Sequence, residues 1–169
     1  MFPPLFDLER AHMNQQQHTY LIATDGACNT NHIKTPFRVS GWGFVAIRSD
    51  GVKVERNGFT MGPEESNNTG ELQAVIQALA LLKPGSVVTI QTDSSYVLEG
   101  ATKWLAGWKR KNWRKADGKP VANQHRWEEM DHLLATRVVA FEKVKGHSGH
   151  SMNERADKLA VAGMLRAGA

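Results

Sequence analysis

Hydrophobic and polar residues follow the patterns of β-strands in the first third of this chain. In the rest of the chain, segments with a helical period alternate with strand-like segments. Residues 20–25, YLIATD, form an apolar run that predicts a buried strand. Residues 42–60 contain two strand-like runs joined at Asp50-Gly51, a dipeptide typical of hairpins. The stretch between these segments, 26–41, contains Asn, Thr, Pro and Gly and predicts a long loop.

The helical period begins after these strands. Over residues 67–85 the apolar positions Leu72, Val75, Ile76 and Leu79 recur at i, i+3, i+4 and i+7, and Pro84-Gly85 ends the pattern. The rest of the chain predicts a strand at 86–93, a helix from Ser94, a helix at 123–137 capped by Asn123, a strand at 138–144 and a helix at 153–167. The order β-β-β-α-β-α-α-β-α predicts an α/β fold with a mixed sheet and helices on its faces.

Composition supports one globular domain. The chain has 169 residues, of which 41% are hydrophobic and 22% charged. Its only cysteine, Cys28, excludes a disulfide within the chain and favours a reducing, cytoplasmic location. No run approaches the roughly 18 apolar residues of a membrane span. Residues 1–18 show no hydrophobic period, and we expect them to form an N-terminal extension without a readable role. The single domain is therefore expected at 19–169. A monomer is expected.

The positive charge is local. Residues 103–119 hold seven Lys or Arg against Asp117, so this segment carries +6 and the remainder of the +4 chain carries −2. Such a patch is typical of a phosphate-binding surface. Trp104 and Trp108 lie four apart on one helix face, with Trp113 close by. That spacing fits core packing, whereas the interleaved cations favour a contact surface for nucleic acid.

Two acids stand where predicted strands end, Asp25 in ATDG and Asp93 in QTDS. In an open α/β sheet ligands bind beyond the carboxyl ends of the strands, so neighbouring parallel strands would bring both acids to one edge. Taken alone, Asp25 also fits a turn and Asp93 also fits a helix N-cap.

Two further acids lie on predicted helices. Glu71, placed in a first helical turn, and Asp157 both border a face that is expected to pack on the sheet, with Ala74, Val75 and Ala78 following the first and Ala160, Val161 and Met164 the second. Taken alone, Glu71 fits a helix-dipole partner and Asp157 a solvated acid. If the acids converge, a shared cation would offset their repulsion, and without it at least one should have a raised pKa.

Oxygen ligands select hard cations, chiefly Mg²⁺, with Mn²⁺ as a substitute. Two such ions can hold the attacking and the leaving oxygen of a phosphodiester. The basic patch would then hold a polynucleotide backbone.

Five stretches of the chain resemble ribonuclease H of the type 1, bacterial class. They are TDGAC (24–28), SNNTGEL (66–72), TDSSYV (92–97), WLAGWKRKNWRKADGKPV (104–121) and VKGHSGHSMNERAD (144–157), and the resemblance covers about 19–166. It implies a five-stranded mixed sheet flanked by helices. It also implies an endonuclease that hydrolyses the RNA strand of RNA–DNA hybrids and leaves 5′-phosphate and 3′-hydroxyl ends.

The resemblance also implies roles for particular residues. Two metal ions would be held by Asp25, Glu71, Asp93 and Asp157, and His147 would act as a mobile proton carrier. The basic handle would lie at about 103–121. Substrate-binding residues would be Cys28, Asn29, Ser66, Asn67, Asn68, Ser94, Trp104, Trp108, Lys109, Arg110, Lys111 and Trp113.

The chain departs from the family's usual pattern at several positions. The loop after Asp25 is longer, and Asn29 and Asn31 are both candidates for a minor-groove contact. Ser66 replaces the usual threonine of a phosphate pocket, and Gly107 and Ser95 stand where an asparagine and a glutamine are common. Other functions that fit the pattern are an exonuclease or transposase of the same superfold, and an inactive nucleic-acid-binding module. The intact acids, the handle and the GHSGH loop favour the hybrid endonuclease.

Overall fold

The computed structural model describes residues 17–29, 38–146, 149 and 151–168. Its sheet consists of β1 (Thr19–Asn29), β2 (Arg38–Arg48), β3 (Lys53–Gly62), β4 (Val87–Thr92) and β5 (Val138–Lys143). The strands lie in the order β3-β2-β1-β4-β5. β1, β2 and β3 pair antiparallel, whereas β4 runs parallel to β1 and β5 parallel to β4. The predicted mixed sheet is confirmed.

The helices also follow the predicted order. They are α1 (Asn67–Leu81), α2 (Ser95–Glu99), α3 (Leu105–Arg110), α4 (Gln124–Ala135) and α5 (Ser151–Arg166). A π-helical turn over Gly100–Trp104 joins α2 to α3. A Cβ at Gly100 would lie 2.1 Å from the ring of Trp127, so this glycine lets the turn rest directly on a core tryptophan. None of the described helices is long and apolar enough to cross a membrane.

One face of the sheet is covered by α1 and α4. The four periodic positions of α1 are 0–1% exposed, as predicted: Leu72, Val75, Ile76 and Leu79. They join a cluster that contains Ile22 and Phe44 from the sheet and Trp127 from α4. Ser66 caps α1, because its hydroxyl accepts from Thr69 N while the Thr69 hydroxyl accepts from Ser66 N. This cap fixes where α1 begins and hence the height of Glu71 above the sheet.

The other face is covered by α5, which approaches the sheet closely. A Cβ at Gly41 would lie 2.0 Å from the carbonyl oxygen of Ala160, and one at Gly43 would lie 2.6 Å from Ala160 N. The side of α5 that meets these glycines carries small or polar buried residues, Asn153, Ala156, Ala160 and Gly163. The prediction that Val161 packs on the sheet is wrong, since it is 36% exposed. Backbone-to-backbone contact leaves no room for a valine.

The predicted loop at 26–41 is wrong at both ends. β1 continues to Asn29 and β2 begins at Arg38, with Asn29 opposite Val39. Gly and Asn were read as loop residues, but antiparallel pairing with β2 keeps them in register beyond Asp25. The remainder of the predicted loop, residues 30–37, lies outside the described part of the chain.

Candidate active site

Asp25 lies inside β1 rather than in a turn after it. The parallel pairing of β1 with β4 ends at Ala23 opposite Gln91, while the pairing with β2 continues past Asp25. The prediction that β1 ends at Asp25 is therefore wrong, and so is the alternative of a turn residue. Asp25 is 7% exposed, and its Oδ1 accepts from Gly26 N at 2.8 Å. Because the pairing with β4 ends before Asp25, there is space beside this carboxylate.

Glu71 reaches this place from α1. The helix begins at Asn67, so Glu71 lies beyond its first turn, and the prediction of a first-turn acid is wrong. A Cβ at Gly26 would lie 2.2 Å from Glu71 N, which shows that α1 crosses β1 at a residue without a side chain. Glu71 is 8% exposed, and its Oε2 is buried without a hydrogen-bond partner among the described residues. An unpartnered buried carboxylate oxygen is suited to a cation.

Asp93 directly follows β4, as predicted from QTDS. It is not the cap of the next helix, because the hydroxyl of Ser94 accepts from Val97 N at 3.2 Å and fills that role. Ser94 is thus occupied in a cap, and its role as a substrate contact stays a prediction.

The three acids converge. Side-chain oxygens of Asp25, Glu71 and Asp93 all lie within 4.8 Å of one another. Among the described residues, Asp157 stands outside this group, although its charge acts on Asp25. Asp157 is half-buried on α5. The donor set is purely carboxylate oxygen, and two of its members are buried, so the residues fit a hard divalent cation.

Burial and mutual repulsion perturb the carboxyl groups, as expected for clustered acids. Burial raises the pKa of Asp25 to about 6, with the charges of Asp93 and Asp157 adding to it and the Glu71 hydrogen bond opposing it. Burial likewise raises the pKa of Glu71 well above its usual range, and the charge of Asp25 acts in the same direction. Without a cation, these effects favour the protonated form of Glu71, which donates to Asp25.

These pKa shifts predict how Asp25→Asn affects the metal-free protein. A folded-state pKa raised from 3.8 to about 6 means that the folded protein binds more protons than the unfolded chain in that window. The contribution of Asp25 to the free energy of unfolding is therefore fully present below about pH 4 and is lost as the pH rises through about 6. At neutral pH Asp25→Asn should stabilise the protein by about 1–3 kcal/mol, or roughly 2–10 °C in Tm.

The measurement is Tm in EDTA across this pH range, with Asp117→Asn on the exposed handle as the control. The gain in Asp25→Asn should vanish in acid, where the wild-type carboxyl is protonated. An equal gain at every pH, or an equal gain in the control, would contradict the assignment to carboxylate repulsion.

An open groove of about 600 Å³ lies between the starts of α1 and α4. Ser66 and Asn123 line it from opposite sides. Beside it, Arg126 Nη2 lies 2.7 Å from Glu65 Oε1, and Glu65 Oε2 accepts from the hydroxyls of Thr60 and Thr69. The sequence analysis missed this ion pair, because Glu65 and Arg126 lie 61 positions apart and neither belongs to a local pattern.

Asn123 precedes α4, as predicted, but does not cap it by a side-chain hydrogen bond. It adopts a left-handed conformation with φ of 58°, and its Nδ2 donates to the hydroxyl of Tyr96 at 3.0 Å. The start of α4 is thus attached to α2.

The handle tryptophans pack on one another and on the core. Ring centroids of Trp104 and Trp108 lie 5.8 Å apart, and those of Trp108 and Trp127 lie 5.2 Å apart. Trp127 is fully buried, whereas Trp104 remains 38% exposed. Trp113 packs against Trp108 in a tilted arrangement, with the ring centroids 6.5 Å apart. The ladder anchors the handle, and only its outer member, Trp104, presents a large surface to a ligand.

The cations of the handle differ in their partners. Lys109 Nζ lies 3.0 Å from a carboxylate oxygen of Asp131, so part of its charge is neutralised within the protein. Arg110 and Lys111 are exposed at the end of α3. The chain then turns through Asn112, which has a positive φ of 51°.

Several predicted site residues lie apart from these groups. Cys28 and Asn29 occupy the last two positions of β1, beyond Asp25, and both are partly exposed. Asn67 and Asn68 open α1, where Asn68 is exposed. Their roles stay predictions. His147 and Asn31 lie outside the described residues.

Comparison with known proteins agrees with this geometry. A family model described as RNase H matches residues 17–165. Ribonuclease H of Thiobacillus denitrificans is 46% identical over 146 residues, which cover 86% of this chain and 93% of the relative. Ribonuclease H of Paracoccus denitrificans is 44% identical over 143 residues, covering 83% and 89%. The crystal structure of LC9-RNase H1, described as a type 1 RNase H with the type 2 active-site motif, aligns with a TM-score of 0.74 and 26% identity, covering 90% of this chain and 75% of that one.

A cluster of buried carboxylates that can hold a divalent cation is suited to phosphodiester hydrolysis. The fold and the site therefore define a metal-dependent nuclease. The chain belongs to the ribonuclease H family. It hydrolyses the RNA strand of RNA–DNA hybrids. Family membership favours this function over a related exonuclease or an inactive binding module.

Proposed function

We propose that hydrolysis is endonucleolytic and uses two Mg²⁺ ions held by Asp25, Glu71, Asp93 and Asp157, with Mn²⁺ as a possible substitute. The observation that carries the proposal is the convergence of three carboxylates within 4.8 Å, two of them buried. Asp157 would contribute from the opposite face of the sheet, close enough for its charge to raise the pKa of Asp25.

Two metal ions at such a site supply activation of the attacking water and stabilisation of the leaving oxygen. The chain's own residues place the reacting groups. The N–H of Gly26 orients Asp25 by donating to its Oδ1, and Glu71 would have to lose its proton to hold a metal ion. Water adds to phosphorus and the bond to the 3′ oxygen breaks, so the products carry 5′-phosphate and 3′-hydroxyl ends.

We assign the delivery of a proton to the 3′ oxygen to His147. Histidine is the side chain whose ordinary pKa suits proton transfer at physiological pH. The segment that leads to it runs along the cluster, because a Cβ at Gly146 would lie 2.6 Å from Asp93 Oδ2.

Substrate binding is assigned to three surfaces. The handle at about 103–121 would bind backbone phosphates through Arg110 and Lys111 and stack on Trp104. The groove beside Ser66 would take a phosphate of the other strand. Asn67 and Asn68, exposed at the start of α1, would contact the same strand. The end of β1, with Cys28 and Asn29, would meet the minor groove, where the 2′-hydroxyl distinguishes RNA from DNA.

The different partners of the handle cations predict unequal contributions to binding. Replacing Arg110 and Lys111 together by Ala should flatten the dependence of log K on log salt by up to about 0.9 per lost phosphate contact, the value for B-DNA. Lys109→Ala should have a smaller effect, because Asp131 already pairs with this ammonium. Fluorescence anisotropy with a labelled hybrid over a range of salt measures both slopes. Equal slopes in wild type and the double variant would show that Arg110 and Lys111 are solvated and do not bind phosphates.

The proposed function is tested with labelled RNA–DNA hybrid, duplex DNA and duplex RNA, each in Mg²⁺ and in EDTA. We expect internal cuts in the RNA strand of the hybrid, only with Mg²⁺. Mg²⁺ should also raise Tm in the absence of substrate, since it binds the folded state alone. Cleavage in EDTA, or cleavage that proceeds only from RNA ends, would refute the proposal.

We further propose that the enzyme acts as a cytoplasmic monomer, in keeping with its single cysteine, Cys28. Sedimentation of the purified chain tests the oligomeric state, and a stable dimer would contradict it.

A further inference from the structure

Lys143, the last residue of β5, is held against the turn that follows β4. It lies opposite Thr92 in the parallel pairing of β4 and β5. Its Nζ donates to the carbonyl oxygen of Asp93 at 2.5 Å and to Oγ of Ser95 at 2.8 Å. This lysine is therefore fixed beside the residue whose carboxylate belongs to the catalytic cluster.

The charge of Lys143 is not cancelled by these contacts, because both acceptors are uncharged oxygens. Lys109 differs, since its ammonium lies 3.0 Å from the carboxylate of Asp131. An ammonium has three N–H donors, so two bonds to the protein leave one for a ligand. The residue is also exposed. It thus presents a fixed positive charge and a donor to solvent.

The surroundings of Asp93 place this charge next to the reaction. The chain that leaves β5 passes the Asp93 carboxylate at Gly146, where a Cβ would lie 2.6 Å from Oδ2. Lys143 holds the carbonyl of the same residue. The Lys143 ammonium is thus attached to the backbone of the same residue whose carboxylate lies in the cluster.

We propose that Lys143 is a substrate-contacting residue, which binds a backbone phosphate of the RNA strand adjacent to the phosphodiester that is cut. The proposal rests on the proposed function, because it takes the carboxylate cluster as the place where the RNA strand lies. Two hydrogen bonds hold the side chain before substrate arrives, so binding costs less conformational entropy than at an unrestrained surface lysine.

The test compares Lys143→Met, which removes the charge and keeps most of the length, with Lys143→Arg, which keeps the charge. Hybrid affinity is measured by anisotropy in EDTA over a range of salt, and KM and kcat are measured in Mg²⁺. Lys143→Met should weaken binding by up to about fivefold, the range of an exposed ion pair. It should flatten the salt slope by about one counterion and raise KM more than it lowers kcat. Lys143→Arg should restore the slope.

Lys83→Met, at an exposed lysine just after α1, is the matched control and should leave the slope unchanged. A wild-type slope in Lys143→Met with lower kcat would mean that Lys143 only supports the Asp93 turn, and this would overturn the proposal. An equal loss of slope in the control would overturn it too. The binding measurement needs no hydrolysis, so a wild type that binds hybrid without cutting it refutes the proposed function and leaves this test intact.

Discussion

Asp93→Asn is expected to lower hybrid hydrolysis by at least about 100-fold, which corresponds to roughly 2.7 kcal/mol of barrier. The substitution keeps the shape of the side chain and removes one of three carboxyl groups whose oxygens lie within 4.8 Å of one another. Binding of the hybrid should survive, because the phosphate contacts are assigned to the handle and the groove. The loss should persist at saturating Mg²⁺, since an amide oxygen is a weaker ligand than a carboxylate.

The variant has a second, independent readout. The charge of Asp93 raises the pKa of both Asp25 and Glu71, so its removal should lower both in the metal-free protein. Carboxyl chemical shifts followed by NMR titration measure this. Asp117→Asn, which removes a handle acid, should change neither activity nor these pKa values. If Asp93→Asn retains activity within about tenfold of wild type, its role as a metal ligand is wrong.

Gly26→Ala is expected to damage both the fold and the site. The new Cβ would lie 2.2 Å from Glu71 N and 2.4 Å from the carbonyl carbon of Gly70. Both are backbone atoms of α1, which cannot rotate away, so the helix must move off β1. Overpacking of this kind costs about 1–3 kcal/mol or more. Because Glu71 moves with the helix, activity should fall about 100-fold, the usual effect of a 1 Å displacement.

Gly107→Ala is the control for this substitution. It lies in α3, and its Cβ would meet only the end of the Arg110 side chain at 3.8 Å. Alanine should therefore stabilise the exposed helix by up to about 1 kcal/mol. Activity is measured at a temperature where circular dichroism shows that Gly26→Ala is folded. A Gly26→Ala protein with wild-type Tm and turnover would show that α1 and β1 do not depend on this close approach.

The parts of the fold that the sequence predicted well are those with a strong apolar period. The buried face of α1 was predicted correctly because Leu72 and Ile76 are large and regularly spaced. Burial of such side chains determines which face of the helix packs on the sheet. The end of β1 was read wrongly because pairing with β2 is not encoded in the residues that follow Asp25. Small residues caused the error at α5, where Ala156 and Ala160 meet glycines and the larger Val161 faces outward.

The site was predictable only in part for a related reason. Asp93 stands at a strand end, a position that fits both a ligand edge and a helix N-cap. Glu71 was singled out by its place beside a helix face and by the family resemblance. Gly26 went unnoticed, because a glycine after an acid reads as a turn, although here it lets two backbones meet. Lys143 gave no signal either, since a lysine at a strand end is an ordinary solvated residue until the neighbouring turn is known.

The contact between α5 and the early strands has a consequence for biosynthesis. Asn57 Nδ2 donates to the carbonyl of Leu159, and Arg155 pairs with Glu55, across 102 and 100 positions of sequence. At 5–20 residues per second, α5 is made roughly 5–20 s after β3. The face that waits for it carries Gly41 and Gly43 between Val39 and Val45, two buried valines that lack the cover of α5 in the meantime. Asp157 arrives with this helix, so the residue proposed as the fourth metal ligand reaches the nascent chain's site only when α5 docks.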